Sequence, residues 1–134
     1  MANKYLLDTH TLLWAAGSES DVAMLSEQAK EAIEDLESEL FVSSASLYEI
    51  SYKYKIGKLP EYRAIAENHM EALNGLDAKE LPLNWEQAHL AGSMDWPHKD
   101  PFDRMLAAQS QTEGMALITC DKAFRGAPGL TTLW

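Results

Sequence analysis

Asp100-Pro101-Phe102-Asp103-Arg104-Met105-Leu106-Ala107-Ala108, followed by Gly114-Met115-Ala116-Leu117-Ile118-Thr119-Cys120-Asp121, decides the fold of this chain. Proline suits the first turn of a helix, so Pro101 opens one, with Asp100 ending an extended segment and Asp103 in the opening turn. The helix is predicted to run to about residue 113, where Gly114 stops it. The run from Met115 to Thr119 is apolar without alternation, the pattern of a strand buried on both faces. A helix feeding at once into such a strand belongs to a parallel sheet sandwiched by helices.

The rest of the chain repeats that alternation. Tyr5-Leu6-Leu7 reads as a buried strand closed by Asp8, and Leu12, Leu13, Ala15 and Ala16 as the helix after it. Residues 17–21 form a polar break, and Ser26 caps a helix whose Ala29, Ala32, Ile33 and Leu36 share one face. Leu40-Phe41-Val42-Ser43 is a second strand, leading to a helix with Leu47, Ile50 and Tyr54 on one side. That helix should end near Gly57, with Pro60 barring continuation. A further helix is predicted over 61–73 with Ile65, Ala66, His69 and Leu73 as its stripe, then a turn at Asn74-Gly75. A weaker strand over 78–83 takes an edge position because Pro82 cannot donate to a ladder. Asn84 caps a helix over 85–93, and 130–133 can add a last short strand. The expectation is one α/β domain over residues 1–134, a mostly parallel central sheet flanked by helices on both faces.

Composition sets outer bounds. At 134 residues, 46% hydrophobic and 24% charged, the chain suits one folded domain rather than a disordered one. No apolar run approaches the roughly 20 residues that span a bilayer, and no signal-type core follows a basic start, so the prediction is a cytoplasmic protein with no membrane partner. Cys120 is the single cysteine, which excludes an intrachain disulfide and a thiolate metal cluster; it reads as a small buried strand residue. A net charge of −10 argues against gripping nucleic acid through a broad basic surface. Excess carboxylate suits a cation-collecting site or a surface that receives a basic partner.

Ligand crevices of open α/β sheets lie outside the carboxyl ends of the strands. Asp8 and Asp121 stand there, and Glu49 and Asp103 lie in the first turns of helices beside them. Gathered carboxylates repel, and the remedies are shared protons, basic partners or a divalent cation such as Mg²⁺ or Mn²⁺. Capping competes with that reading at each position. Asp8 and Asp121 can be ordinary caps, and Ser46-Leu47-Tyr48-Glu49 matches a capping box. Thr119 belongs to the strand, with a hydroxyl able to orient a water or a carboxylate. Arg104 can hold a phosphate, counter the acids or form a structural salt bridge. His98 reads as a polar loop residue, and His10, His69 and His89 lack metal-ligand spacing. Lys53, Lys55, Lys58 and Arg63 form the densest basic patch, an RNA-facing candidate, while Trp14, Trp85, Trp96 and Trp134 read as core or interface material.

Four segments taken together, Tyr5-Leu6-Leu7-Asp8-Thr9-His10, Ser43-Ser44-Ala45-Ser46-Leu47-Tyr48-Glu49-Ile50, His98 to Arg104 with Leu106-Ala107-Ala108-Gln109, and Ile118-Thr119-Cys120-Asp121, resemble PIN-domain proteins. Within these they are similar to the VapC-like toxin group of bacterial type II toxin–antitoxin modules. Asp-Pro-Phe-Asp-Arg is the most specific part. The resemblance implies a PIN-like α/β/α sandwich, usually a homodimer, acting as a Mg²⁺- or Mn²⁺-dependent endoribonuclease on RNA and restrained by a cognate antitoxin protein. It implies that Asp8, Glu49, Asp103 and Asp121 are the catalytic and metal-binding acids, with Asp100, Thr119 and Arg104 auxiliary. One departure is Met94-Asp95-Trp96-Pro97, where related sequences more often place the proline nearer the helix. The competing readings are a noncatalytic PIN-like binding module and a phospho-acceptor receiver domain. A receiver wants a second acid beside Asp8 and a lysine at the last strand ends, and Lys122 follows too late.

Overall fold

The structure is a computed structural model describing residues 3–58 and 61–134. Five strands, β1 (Lys4–Leu7), β2 (Glu39–Ser43), β3 (Ala78–Leu81), β4 (Ala116–Ile118) and β5 (Thr132–Leu133), form one sheet in the order β3-β2-β1-β4-β5. Every pairing is parallel: Tyr5 faces Leu40 on one side and Ala116 on the other. The two central strands alternate between two cores. Leu6 and Leu117 pack with α7 (Trp85–Ser93) and α8 (Pro101–Glu113). Leu7 and Ile118 pack with α1 (Thr9–Ala15), α3 (Glu27–Glu34), α4 (Ser44–Lys55) and α5 (Arg63–Glu67). This is an α/β/α sandwich, as the resemblance implies, and its double burial is what left Met115 to Thr119 without alternation.

The caps fall where side chains can provide them. Asp100 accepts from the amides of Phe102 and Asp103, Pro101 occupies the first turn, and Gly114 closes α8 in the left-handed region at φ 66°. Asn84 and Gln87 form a capping box on α7. Weak β3 is an edge strand as expected, with Pro82 just beyond it.

Several expectations are corrected. The polar break carries a short helix, α2 (Glu19–Val22), closed by a Ser18–Asp21 capping box. Helix α3 ends at Glu34 with Asp35 extended, so Leu36 leaves the apolar stripe and is fully exposed. The helix over 61–73 is two helices, α5 and α6 (His69–Gly75), because Asn68 leaves helical geometry at φ −140° and ψ 53°. The stripe is thereby rotated, and His69 is exposed instead of buried. Asn74-Gly75 ends α6, and the left-handed residue of that connection is Asp77 at φ 51°. Cys120 is exposed, since β4 stops at Ile118. Pro60 lies outside the described residues. No helix among those described is long and apolar enough to cross a membrane.

Candidate active site

The carboxyl ends of β1 and β4 deliver Asp8 and Asp121, and the helix following β2 delivers Glu49. Asp8 is buried and caps α1, its Oδ1 accepting from the Thr9 amide at 2.7 Å and its Oδ2 from the Thr119 hydroxyl at 2.7 Å. Burial pushes its pKa above the ordinary carboxylate value and Asp121's charge pushes the same way, against those two hydrogen bonds and the charge of His10. Thr119 Oγ1 also accepts from the Asp121 amide at 3.0 Å, so one hydroxyl fixes both acids. Asp121 is exposed and caps the 3₁₀ turn Lys122–Gly126. Capping and clustering coexist at both aspartates.

Glu49 does not belong to a capping box. The cap of α4 is Ser43, which shifts Ser46 and Glu49 into the helix body on its inner side. Ser46 is fully buried and receives the Thr9 hydroxyl at 3.0 Å, which joins α1 to α4 directly beneath Glu49. Lys53, one turn further, places Nζ 2.6 Å from Glu49 Oε2. Burial of Lys53 opposes its charge, but the bond to Glu49, with Asp100 contributing, holds its pKa above the usual lysine value. Lys53 is therefore not free to face RNA. Arg63 is likewise paired with Glu67 at 3.2 Å, which leaves Lys55 and Lys58 as the members of the basic patch without an ion pair among the described residues.

Asp103 stands between these groups. Burial raises its pKa to about 6, helped by the charges of Asp100 and Asp8 and opposed by His98. His98 is more than a polar loop residue: its Nε2 lies 2.6 Å from Asp103 Oδ2, an imidazole N–H donating to the carboxylate. Arg104 makes no salt bridge with a described residue. It donates to the carbonyls of Ala91, Met94, Trp96 and His98 and stacks near Trp96, 6.0 Å from the ring centroid. Ser43 completes the frame by donating to buried Gln109, whose amide donates to Leu81 O at 3.2 Å. That contact ties the ends of β2 and β3 to α8.

The acids form a chain of neighbours: Asp121 with Asp8, Asp8 with Asp103, Asp103 with Asp100, and Glu49 with Asp100 across Lys53. They are assembled but not converged. Among the described residues no three His, Cys, Asp or Glu side chains are grouped so as to hold an ion. Mg²⁺ keeps most of its waters and needs only one or two direct carboxylates, so a set of hard oxygens with unused lone pairs fits it. His98 and Lys53 are the residues whose part spacing alone did not reveal, although Lys53 stands four residues after Glu49 on one helix, the distance at which side chains meet.

Comparison with known proteins places the same segments in one family. The family described as PIN domain matches residues 5–130. VapBC2 from Rickettsia felis, solved bound to a DNA fragment from its promoter, aligns with TM-score 0.66 at 17% identity, covering 97% of both chains. A toxin–antitoxin complex from Klebsiella pneumoniae aligns with TM-score 0.62 at 21% identity over 96% of each chain. FitAcB from Neisseria gonorrhoeae gives 0.61 at 17% identity, over 97% of this chain and 96% of that one. At these identities the likeness is one of fold. No curated protein sequence is similar enough to count as a relative.

Proposed function

The chain belongs to the PIN-domain family, and from that premise we propose that it is a VapC-like toxin, an endoribonuclease dependent on Mg²⁺ or Mn²⁺ and restrained by an antitoxin. One observation carries the reading: Asp8, buried at the end of β1, and half-buried Asp103, in the first turn of α8, lie within charge range of each other and of Asp121 and Asp100, at a cost in desolvation and repulsion that a cation relieves. Asp8, Glu49, Asp103 and Asp121 are the acids we assign to it, and Asp100 an outer neighbour. When bound, the cation supplies an activated water and stabilises the charge developing on a phosphodiester. Thr119 fixes the Asp8 carboxylate, Ser46 and Thr9 brace the Glu49 helix, and Lys53 holds Glu49. Arg104, its donors committed to carbonyls, is removed from the phosphate-binding candidates.

The test is cleavage of an RNA pool by wild type and by Asp8→Asn, with Mg²⁺ or Mn²⁺ and with chelator. Metal-dependent cleavage abolished by Asp8→Asn supports the assignment; cleavage that survives chelation or the substitution sinks it. Folded protein that binds antitoxin but never cleaves RNA is the noncatalytic module instead. Family membership sets the receiver-type alternative aside.

A second copy of the chain is the partner we assign to α4. Tyr48, Tyr52 and Ile56 recur every fourth residue and stand 62%, 50% and 52% exposed, the two tyrosine rings stacked within 4° and Phe102 against Tyr48. Beside this row Glu49, Asp100 and Asp103 cluster at one end, and Lys55 and Lys58 extend from the other. Two copies packed antiparallel along it meet with opposite charges, as a self-complementary interface requires. An antitoxin is the separate, basic partner that the net charge of −10 suits.

A further inference from the structure

The segment 94–98 departs from the expected proline placement and has no regular structure, yet it is among the most firmly tethered parts of the site. Arg104 has five N–H donors and spends four on this segment and its approach: Nε on Ala91 O at 2.7 Å, Nη2 on Met94 O at 2.7 Å, Nη1 on His98 O at 2.9 Å and on Trp96 O. Trp96 is buried between Phe124, 5.8 Å away, and the His98 ring, 4.9 Å away. A carbon added to Gly126 would come within 3.3 Å of Trp96 Nε1, so Gly126 lies close against that edge of the indole. The outcome of all this bracing is one polar contact at the site, His98 to Asp103. Lysine cannot substitute, because a point charge lacks the planar fork that reaches carbonyls on several sides.

We propose that Arg104 and His98 form a positioning pair, in which Arg104 fixes the 94–98 segment and His98 thereby holds Asp103 Oδ2, turning the rest of that carboxylate toward the other acids. The inference rests on the metal-nuclease reading and extends it to two residues that touch neither cation nor RNA. Outer partners that orient ligands commonly govern metal affinity by about 10- to 100-fold.

The experiment measures Mn²⁺ binding by titration calorimetry alongside RNA cleavage, on folded wild type, His98→Ala, His98→Gln, Arg104→Lys and the double variant Arg104→Lys/His98→Ala. His98→Ala should weaken Mn²⁺ binding about 10-fold, whereas His98→Gln, which keeps an N–H donor at similar reach, should stay within about 3-fold of wild type. Arg104→Lys should match His98→Ala, and the double variant should lose no more than either single one, as expected for residues acting through one contact. If Arg104→Lys does not fold, Arg104→Gln, able to donate to two carbonyls at most, takes its place. Wild-type Mn²⁺ affinity in His98→Ala overturns the proposal, and so does loss in His98→Gln equal to that in His98→Ala. Losses that multiply in the double variant overturn the link from Arg104 to His98. Wild type that neither binds Mn²⁺ nor cleaves RNA overturns the nuclease reading together with this one; active wild type beside unaffected variants overturns this one alone.

Discussion

Asp103 carries a titration that can be followed without RNA. Its folded pKa, about 6, lies above the ordinary 3.8, so the folded chain holds this proton more tightly than the unfolded chain does. Below about pH 4 both states are protonated and nothing is lost. From there to about pH 6 the unfolded state releases its proton first, and stability falls as pH rises; above that the full cost persists. Asp103→Asn mimics the protonated side chain. In chelator, wild type and Asp103→Asn should unfold alike near pH 4, and at pH 7.5 the variant should be more stable, by on the order of 1–2 kcal/mol after discounting for solvent that still reaches the group. Equal unfolding midpoints at pH 7.5 would refute the buried-acid account. Thr119 allows a second residue-scale test. Thr119→Val removes the donor to Asp8 Oδ2 and the acceptor for the Asp121 amide, so it should cost about 1–3 kcal/mol and lower cleavage at least tenfold, while Thr119→Ser should keep most of both. Asp8, Asp103 and Thr119 stood out in the sequence because strand ends and a proline-started helix are readable. The His98 contact did not, since nothing in a five-residue spacing across a loop tells which way an imidazole turns.

At the scale of elements, the caps decide which face each helix presents to the acids. Helix α4 begins at Ser44 because Ser43 takes the cap, although Ser43, Ser44 and Ser46 were all chemically eligible. The Ser46–Glu49 capping box was therefore a misreading of phase. What settles the phase is long-range, the Ser43 hydroxyl meeting Gln109 and the Ser46 hydroxyl meeting Thr9, contacts that span 66 and 37 residues and leave no local signature. Ser43→Ala should cost about 2 kcal/mol in chemical denaturation, about half from the lost cap and half from leaving buried Gln109 without its donor. Ser46→Ala keeps the cap and should cost less; the reverse order would mean that Ser46 is the true cap. The strands and helices with strong punctuation, Asn84 before α7 and Pro101 with Gly114 around α8, were legible to the residue. The region after α4 was not, because Asn68 breaks a stripe whose periodicity alone predicts one continuous helix.

For the whole molecule, a net charge of −10 opposes self-association, so the proposed dimer requires a surface that is locally balanced. The row of Tyr48, Tyr52 and Ile56 on α4 is such a place, with its acids at one end and, at the other, Lys55 and Lys58, which have no ion pair among the described residues. Tyr52 is half exposed and its side chain makes no hydrogen bond with a described residue, so Tyr52→Glu should leave the fold and thermal midpoint of a single copy nearly unchanged. Placed in a two-fold interface, however, that charge would meet its own copy and the neighbouring aromatic rings, and burying like charges without partners costs several kcal/mol. Light scattering should therefore report a dimer for wild type and a monomer for Tyr52→Glu, while Lys55→Glu weakens the dimer less and in a manner dependent on salt. A Tyr52→Glu protein that keeps the wild-type mass would move the interface elsewhere, and a monomeric wild type would leave the aromatic row to another partner.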